Sequence, residues 1–192
     1  QRGGGSKDVW VCGASNSSFS SLLRRPVTAQ DLVRSGADLS SRVAEPLFWF
    51  GRYAERCDNL ARYLRVALNR AADGSESPEG SALTALGRAL GVLGEGEDGV
   101  EPLIRATFAP AHPGGLASHL LHLARTGFLL RERLSLDNWR ALNALVEKMG
   151  EPDDGLGLFE ALARLDEAIG CFMTLAGFAL DGMTRDHGWR FL

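Results

Sequence analysis

Arg52, Glu55, Arg56, Asn59 and Arg62 recur at spacings of three and four, which aligns them as one polar stripe on a helix. Trp49, Tyr53 and Tyr63 flank that stripe. Two readings of it stand side by side. In one it is a solvated face of intrahelical ion pairs, each worth roughly a few tenths of a kcal/mol. In the other it is a half-buried polar seam, where a desolvated guanidinium grips a carboxylate, a phosphate or a partner helix through paired hydrogen bonds. The seam reading expects Glu55 to meet a basic group from outside its own helix, with Arg131, Arg185 and Arg190 as the candidates. Neither reading makes the stripe catalytic, and no Ser, Cys or Lys comes with a recognisable activating base.

The remaining chemistry-bearing groups are thinner. His119 and His122 stand at i, i+3, a spacing that can chelate a metal, with His112 nearby. No carboxylate or cysteine accompanies them in sequence, so they read as surface or core-edge histidines, and no metal site is expected. Asp153-Asp154 follows a proline in a turn and is not an acid/base pair. Gly3-Gly4-Gly5-Ser6-Lys7 would let backbone N–H groups approach an anion. It lacks the Gly-Lys-Ser/Thr ending of a Walker loop, so it is a weak phosphate-loop remnant, alternatively a severed strand and flexible linker.

Positioning these groups falls to helices. Leu47, Phe50, Ala54, Cys57, Ala61, Leu64 and Leu68 alternate in steps of three and four, which predicts one long helix from 41 to about 70, about 45 Å in length. Ser40 or Ser41 can cap it, and Ala72-Asp73-Gly74 can end it. Further helices are predicted from Ser81 to about Leu93, from Val100 to about Phe108, from Leu116 to Arg133, from a Ser135 cap to about Met149, and from Leu156 to about Thr184. Gly170, Gly177 and Gly182 interrupt the last one, and close helix approach would explain their presence. Residues 8–12 read as a short strand, and the serine-crowded stretch 13–38 as a linker with a short helix after Thr28.

Composition excludes some classes. The chain has 192 residues, 45% of them apolar, and a net charge of −3. That is enough for one domain with a sizeable core, and it offers no general attraction to nucleic acid or an anionic membrane. Charge is uneven: residues 41–70 hold six Arg, whereas 71–100 hold six acids and only Arg88. No apolar run approaches the roughly 20 residues of a membrane helix. Cys12, Cys57 and Cys171 show no zinc spacing. With no recognisable signal peptide they lead us to expect a reducing, cytoplasmic compartment.

Ser41-Arg42-Val43-Ala44, Leu47-Phe48-Trp49 and Gly51-Arg52-Tyr53-Ala54-Glu55-Arg56 resemble the alpha-E domain, a bacterial all-helical family named for its Glu-Arg motif. Arg131-Glu132-Arg133-Leu134-Ser135, Trp139-Arg140, Leu142-Asn143 and the stretch from Met183 to Leu192 extend the resemblance. It implies a front half of that domain over about 39–192, with a second Glu-Arg helix beyond Leu192. Gly3-Gly4-Gly5-Ser6-Lys7-Asp8 and Trp10 resemble the closing segment of circularly permuted ATP-grasp proteins, sometimes fused ahead of alpha-E domains. The expectation is therefore an all-α bundle of about five or six helices (39–192), behind an ATP-grasp-like tail (1–12) and a linker (13–38).

The resemblance implies a non-catalytic module that positions substrate or partner for an ATP-grasp ligase, in cis or in trans, in a system that makes or modifies peptides. Its expected ligand is a peptide or an amino-acid-like molecule. ATP and Mg²⁺ would belong to the ligase and not to this fragment. An enzyme of amide or peptide metabolism, or a structural assembly module, are the alternatives. If a second half is missing, the stripe Leu158, Leu162, Leu165, Ile169, Phe172, Leu175 and Phe178 should lie open and drive a two-fold dimer.

Overall fold

The structure is a computed structural model that describes residues 41–74, 78–150 and 155–182. The expected strand at 8–12, the linker, Gly3 to Lys7, the turn at Asp153-Asp154, Arg185 and Arg190 lie outside the described residues. Within them the fold is all-α, with six helices and no strand. These are α1 (Ser41–Asp73), α2 (Pro78–Ala89), α3 (Val100–Phe108), α4 (Leu116–Leu129), α5 (Leu136–Lys148) and α6 (Leu158–Gly182).

The apolar steps along α1 do what their period requires. Leu47, Phe50, Cys57, Ala61, Leu64 and Leu68 are all essentially sealed from solvent. They face α4 on one side and α6 on the other, with α3 filling the space between α1, α4 and α6. A fully buried leucine or phenylalanine contributes about 1.5–3 kcal/mol, so this one face outweighs every exposed ion pair on the helix. Pro46 sits inside α1 and deletes the N–H that would bond to the Arg42 carbonyl. Gly74, at φ +63°, turns the chain out of the helix.

Three helix boundaries differ from the sequence expectation. α2 begins at Pro78, a residue suited to a first helical position, so Ser81 lies inside it and does not cap it. α2 also stops at Ala89, short of Leu93. Gly91 adopts φ +72°, its N–H donates to the Arg88 carbonyl, and the Val92 N–H donates to the Gly87 carbonyl. That crossed pair of bonds is a Schellman ending, and it tucks Val92 into the core. α4 ends at Leu129, before Arg133. Tight bonds from Leu130 to Gly127 and from Arg133 to Leu130 replace the helical ladder, which frees Ser135 to cap α5. There its Oγ accepts from the Asn138 N–H at 3.1 Å.

α6 corrects two expectations. Leu165, Ile169, Phe172 and Leu175 are buried, and Leu158 and Leu162 are half-buried. The stripe expected to lie open is covered by α1 and α5 of the same chain; the Phe178 side chain is outside the described residues. Arg65 on α1 pairs with Asp166 at 2.8 Å, Lys148 on α5 pairs with Glu167, and Arg164 lies over the Phe108 ring of α3. Nor do Gly170 and Gly177 mark close approach, since a Cβ on either would meet nothing within 4 Å. The exposed large apolar side chains stand elsewhere, among them Phe128, Leu129, Leu136 and Phe159.

Close approach occurs instead at Gly127 of α4. A Cβ there would come within 2.6 Å of Leu142 Cδ2 on α5 and 3.1 Å of Phe50 Cε2 on α1. Gly127→Ala should therefore destabilise the bundle by about 1–3 kcal/mol through overpacking, in spite of the helix propensity it adds, about 1 kcal/mol. Urea denaturation would measure it. A stabilised variant would show that the three helices are not in contact at this point.

Candidate functional site

At 3.6 residues per turn, the buried face of α1 sorts the polar stripe by angle. Arg52 and Asn59 point away from the core, Asp58 and Arg62 turn toward the α6 side, and Tyr53, Arg56 and Tyr63 turn toward α2 and α4. The half-buried seam does not form. Arg52 and Glu55 pair with each other at 2.5 Å, with side chains 53% and 58% exposed. Arg62 chelates Asp58 at 3.0 and 3.1 Å. Glu55 thus finds its partner within its own helix, because it lies well off the buried face. Arg131, the one candidate partner among the described residues, instead approaches Glu132 at 3.9 Å and lies over the Phe128 ring.

Arg56 is the exception in the stripe. Among the described residues it forms no ion pair. It lies at the mouth of a cleft of about 800 Å³. The antiparallel run of α4 beside α1 brings His119 to it, one step beyond the stack of His122 on Tyr53 at 5.3 Å. The loop from α3 to α4 contributes His112 and Gly114, α3 contributes Arg105, and the segment after α2 contributes Leu90, Gly91 and Glu97. The backbone holds these parts tightly together. A Cβ on Gly114 would collide with the Gly91 carbonyl, and one on Gly115 would collide with the Ala106 carbonyl.

The electrostatics of the cleft are specific. The Glu97 carboxylate accepts from the Gly94 N–H at 2.8 Å and pairs with Arg105. The Gly94 N–H, then Arg105 and the nearby His112, hold it below the usual carboxylate range. The Nδ1 atoms of His112 and His119 are buried and have no hydrogen-bond partner among the described residues. Buried polar atoms are rarely left so, and both belong to residues that line the cleft with Arg56. Burial, then the positive charges of Arg56 and His122, push the His119 imidazole below its ordinary value. No group of three or more His, Cys, Asp or Glu side chains among the described residues is placed to hold a metal.

A second hollow of about 890 Å³ lies between α1, α2 and the loop before α3, with Tyr63, Arg70, Arg88 and Asp98 on its walls. Two of its hydroxyls are already engaged: Tyr63 donates to the Leu83 carbonyl and Thr84 to the Gly80 carbonyl. No buried orphaned polar atom among the described residues lines it, and we take the first cleft as the candidate site.

Sequence reasoning reached Arg56 but missed Glu97 and Arg105 as its companions, and set His112 and His119 aside as structural. The available signal was the grouping of glycines on both sides of α3, at 91, 94, 96 and 99 and again at 114 and 115. Those glycines let two loops close on each other.

The family model of the Alpha-E domain, described as a predicted alpha-helical domain with a conserved ER motif, matches residues 39–192. An uncharacterised protein of Mycobacterium bovis and uncharacterised proteins of two Mycobacterium tuberculosis strains are each 28% identical over 214 residues, covering 97% of this chain and 24% of their own length. The chain thus spans about a quarter of the length of these curated relatives. No solved structure matches it.

The lowered His119 imidazole predicts an acid-side loss of stability. The unfolded chain takes up this proton at a higher pH than the folded one, so the unfolded state binds more protons between the two values. The contribution is complete above about pH 6.5, the ordinary imidazole value, and is lost as pH falls toward the folded value. Arg56 and His122 act on the group directly, and Glu97, Arg105 and His112 share its cleft. The melting temperature of wild type should drop more steeply below pH 6.5 than that of His119→Gln. Parallel curves would show that the imidazole is freely hydrated.

Proposed function

The chain belongs to the Alpha-E family, and we propose that it is a non-catalytic binding module whose cleft holds the anionic group of a substrate or partner. The observation that carries this is Arg56, unpaired among the described residues, lining one cleft with Arg105, His112 and His119. A guanidinium offers planar, paired donors that match a carboxylate or phosphate. A neutral imidazole adds one further donor or acceptor without adding charge.

Among the described residues no Ser, Cys or Lys side chain lines the cleft. The Cys57 thiol is buried on the core face of α1, and burial pushes it up to about 12, so at neutral pH it is an inert thiol. The cleft therefore supports holding and orienting a ligand rather than cleaving it. In the fuller reading the module serves a circularly permuted ATP-grasp ligase in peptide synthesis or modification. ATP and Mg²⁺ would belong to that ligase, and a peptide or amino-acid-like molecule would be the shared substrate. The support for this wider role is the resemblance of residues 3–10 to the tail of such ligases. No helix among the described residues is long and apolar enough to cross a membrane. Cys57 and Cys171 are free thiols, which supports a cytoplasmic setting.

NMR titration of the imidazole resonances with N-acetyl-L-alanine and with inorganic phosphate would test the binding role. Saturable shifts at His112 and His119 are expected from at least one probe. Arg56→Gln should weaken that binding about tenfold to a hundredfold, the range for losing hydrogen bonds to a charged group. Binding unaffected by Arg56→Gln, or no shift at either imidazole, would overturn the reading.

A further inference from the structure

Resting on that binding role, we infer that Glu97 is a built-in occupant of the cleft, and that the natural ligand is a carboxylate which takes its place on Arg105. The cleft carries two guanidinium groups from different elements, Arg56 from α1 and Arg105 from α3. One is unpaired among the described residues. The other is held by a carboxylate that belongs to the chain itself. Glu97 therefore shows which chemistry the Arg105 side of the cleft accepts: a single carboxylate, met by a guanidinium and by the Gly94 N–H.

The placement suits exchange. Glu97 and Arg105 both remain partly in solvent, where an ion pair is weak and easily replaced. Glu97 rides on a short connector between α2 and α3 in which Gly96 and Gly99 have φ values of +78° and +83°. Glycine moves between such backbone states more readily than any other residue. One contact would survive departure of the side chain, because the Glu97 carbonyl accepts from Arg88 at 3.4 Å. The connector can thus stay tethered while the carboxylate swings out. Leu90 lies exposed along the same rim and suits the aliphatic body of a small acid. Glu97 is itself a single carboxylate, so a group of the same charge and shape fits the place it leaves.

Competition with a tethered group lowers apparent affinity by the fraction of molecules in which the site is free. Removing the competitor should recover that factor. Glu97→Gln keeps an oxygen for the Gly94 N–H but gives up the charge. It should bind N-acetyl-L-alanine about three- to tenfold more tightly than wild type, with inorganic phosphate gaining less. Arg105→Gln added to Glu97→Gln should abolish the gain. Equal affinity of wild type and Glu97→Gln, with Arg56→Gln still weakened, would overturn the built-in occupant and leave the binding role standing. A gain for phosphate alone would overturn the carboxylate assignment. Absence of binding in wild type and in Glu97→Gln alike would remove both the binding role and this inference.

Discussion

Phe50 lies against the bare Cα of Gly127, and the register of the whole bundle follows from that contact. Because α4 runs antiparallel to α1, each step forward on one helix is a step back on the other. Phe50 meets Gly127, then Tyr53 stacks on His122, and then Arg56 comes beside His119. The first rung is pure packing and the second is aromatic. Only the third is chemistry, and it is placed by the two before it. A helix pair that could slide would scatter the arginine and the imidazole. A close-packed one cannot slide, since protein interiors tolerate little change in volume.

The charges on α1 show how placement around a helix separates residues of one type. Arg52, Arg62 and Arg65 each have a carboxylate in reach, at Glu55, Asp58 and Asp166. Such pairs at the surface contribute little to stability; they keep the helix soluble and neutralise it locally. Arg56 lies on the flank where α4 offers imidazoles and no acid. Its charge is left for something else to meet, and one acid of the cleft, Glu97, is committed to Arg105.

Much of the frame was legible in the sequence. The α1 repeat from Leu47 to Leu68, the α3 segment and the Ser135 cap all follow from local periodicity and side-chain chemistry. The end of α2 was not legible, because Leu90 to Leu93 continue an apolar helical pattern, and only the left-handed backbone at Gly91 shows where it stops. The glycines of α6 were misread for a related reason: composition records a missing side chain, not what lies opposite it. For the site, residue types picked out Arg56 along with Glu55. They could not separate the two, since a shift of one residue, 100° around the helix, decides which one faces the cleft. Glu97, Arg105 and His112 are distant from Arg56 in sequence and meet only through loop packing, which leaves no periodic trace.

The contact between Gly91 and Gly114 has a bearing on how this cleft could change its preferences. Two main-chain segments touch beneath it: a Cβ on Gly114 would collide with the Gly91 carbonyl, and Gly91 holds a φ of +72°, which L side chains rarely adopt. The floor is therefore bare peptide, the same whatever ligand the cleft serves. Any retuning toward a longer, bulkier or differently charged guest has to be written on the rim, at positions such as Leu90, Glu95 and Pro113. The domain would then behave as a fixed socket with an editable collar, and variants that alter selectivity would cluster in the collar while the socket stayed unchanged.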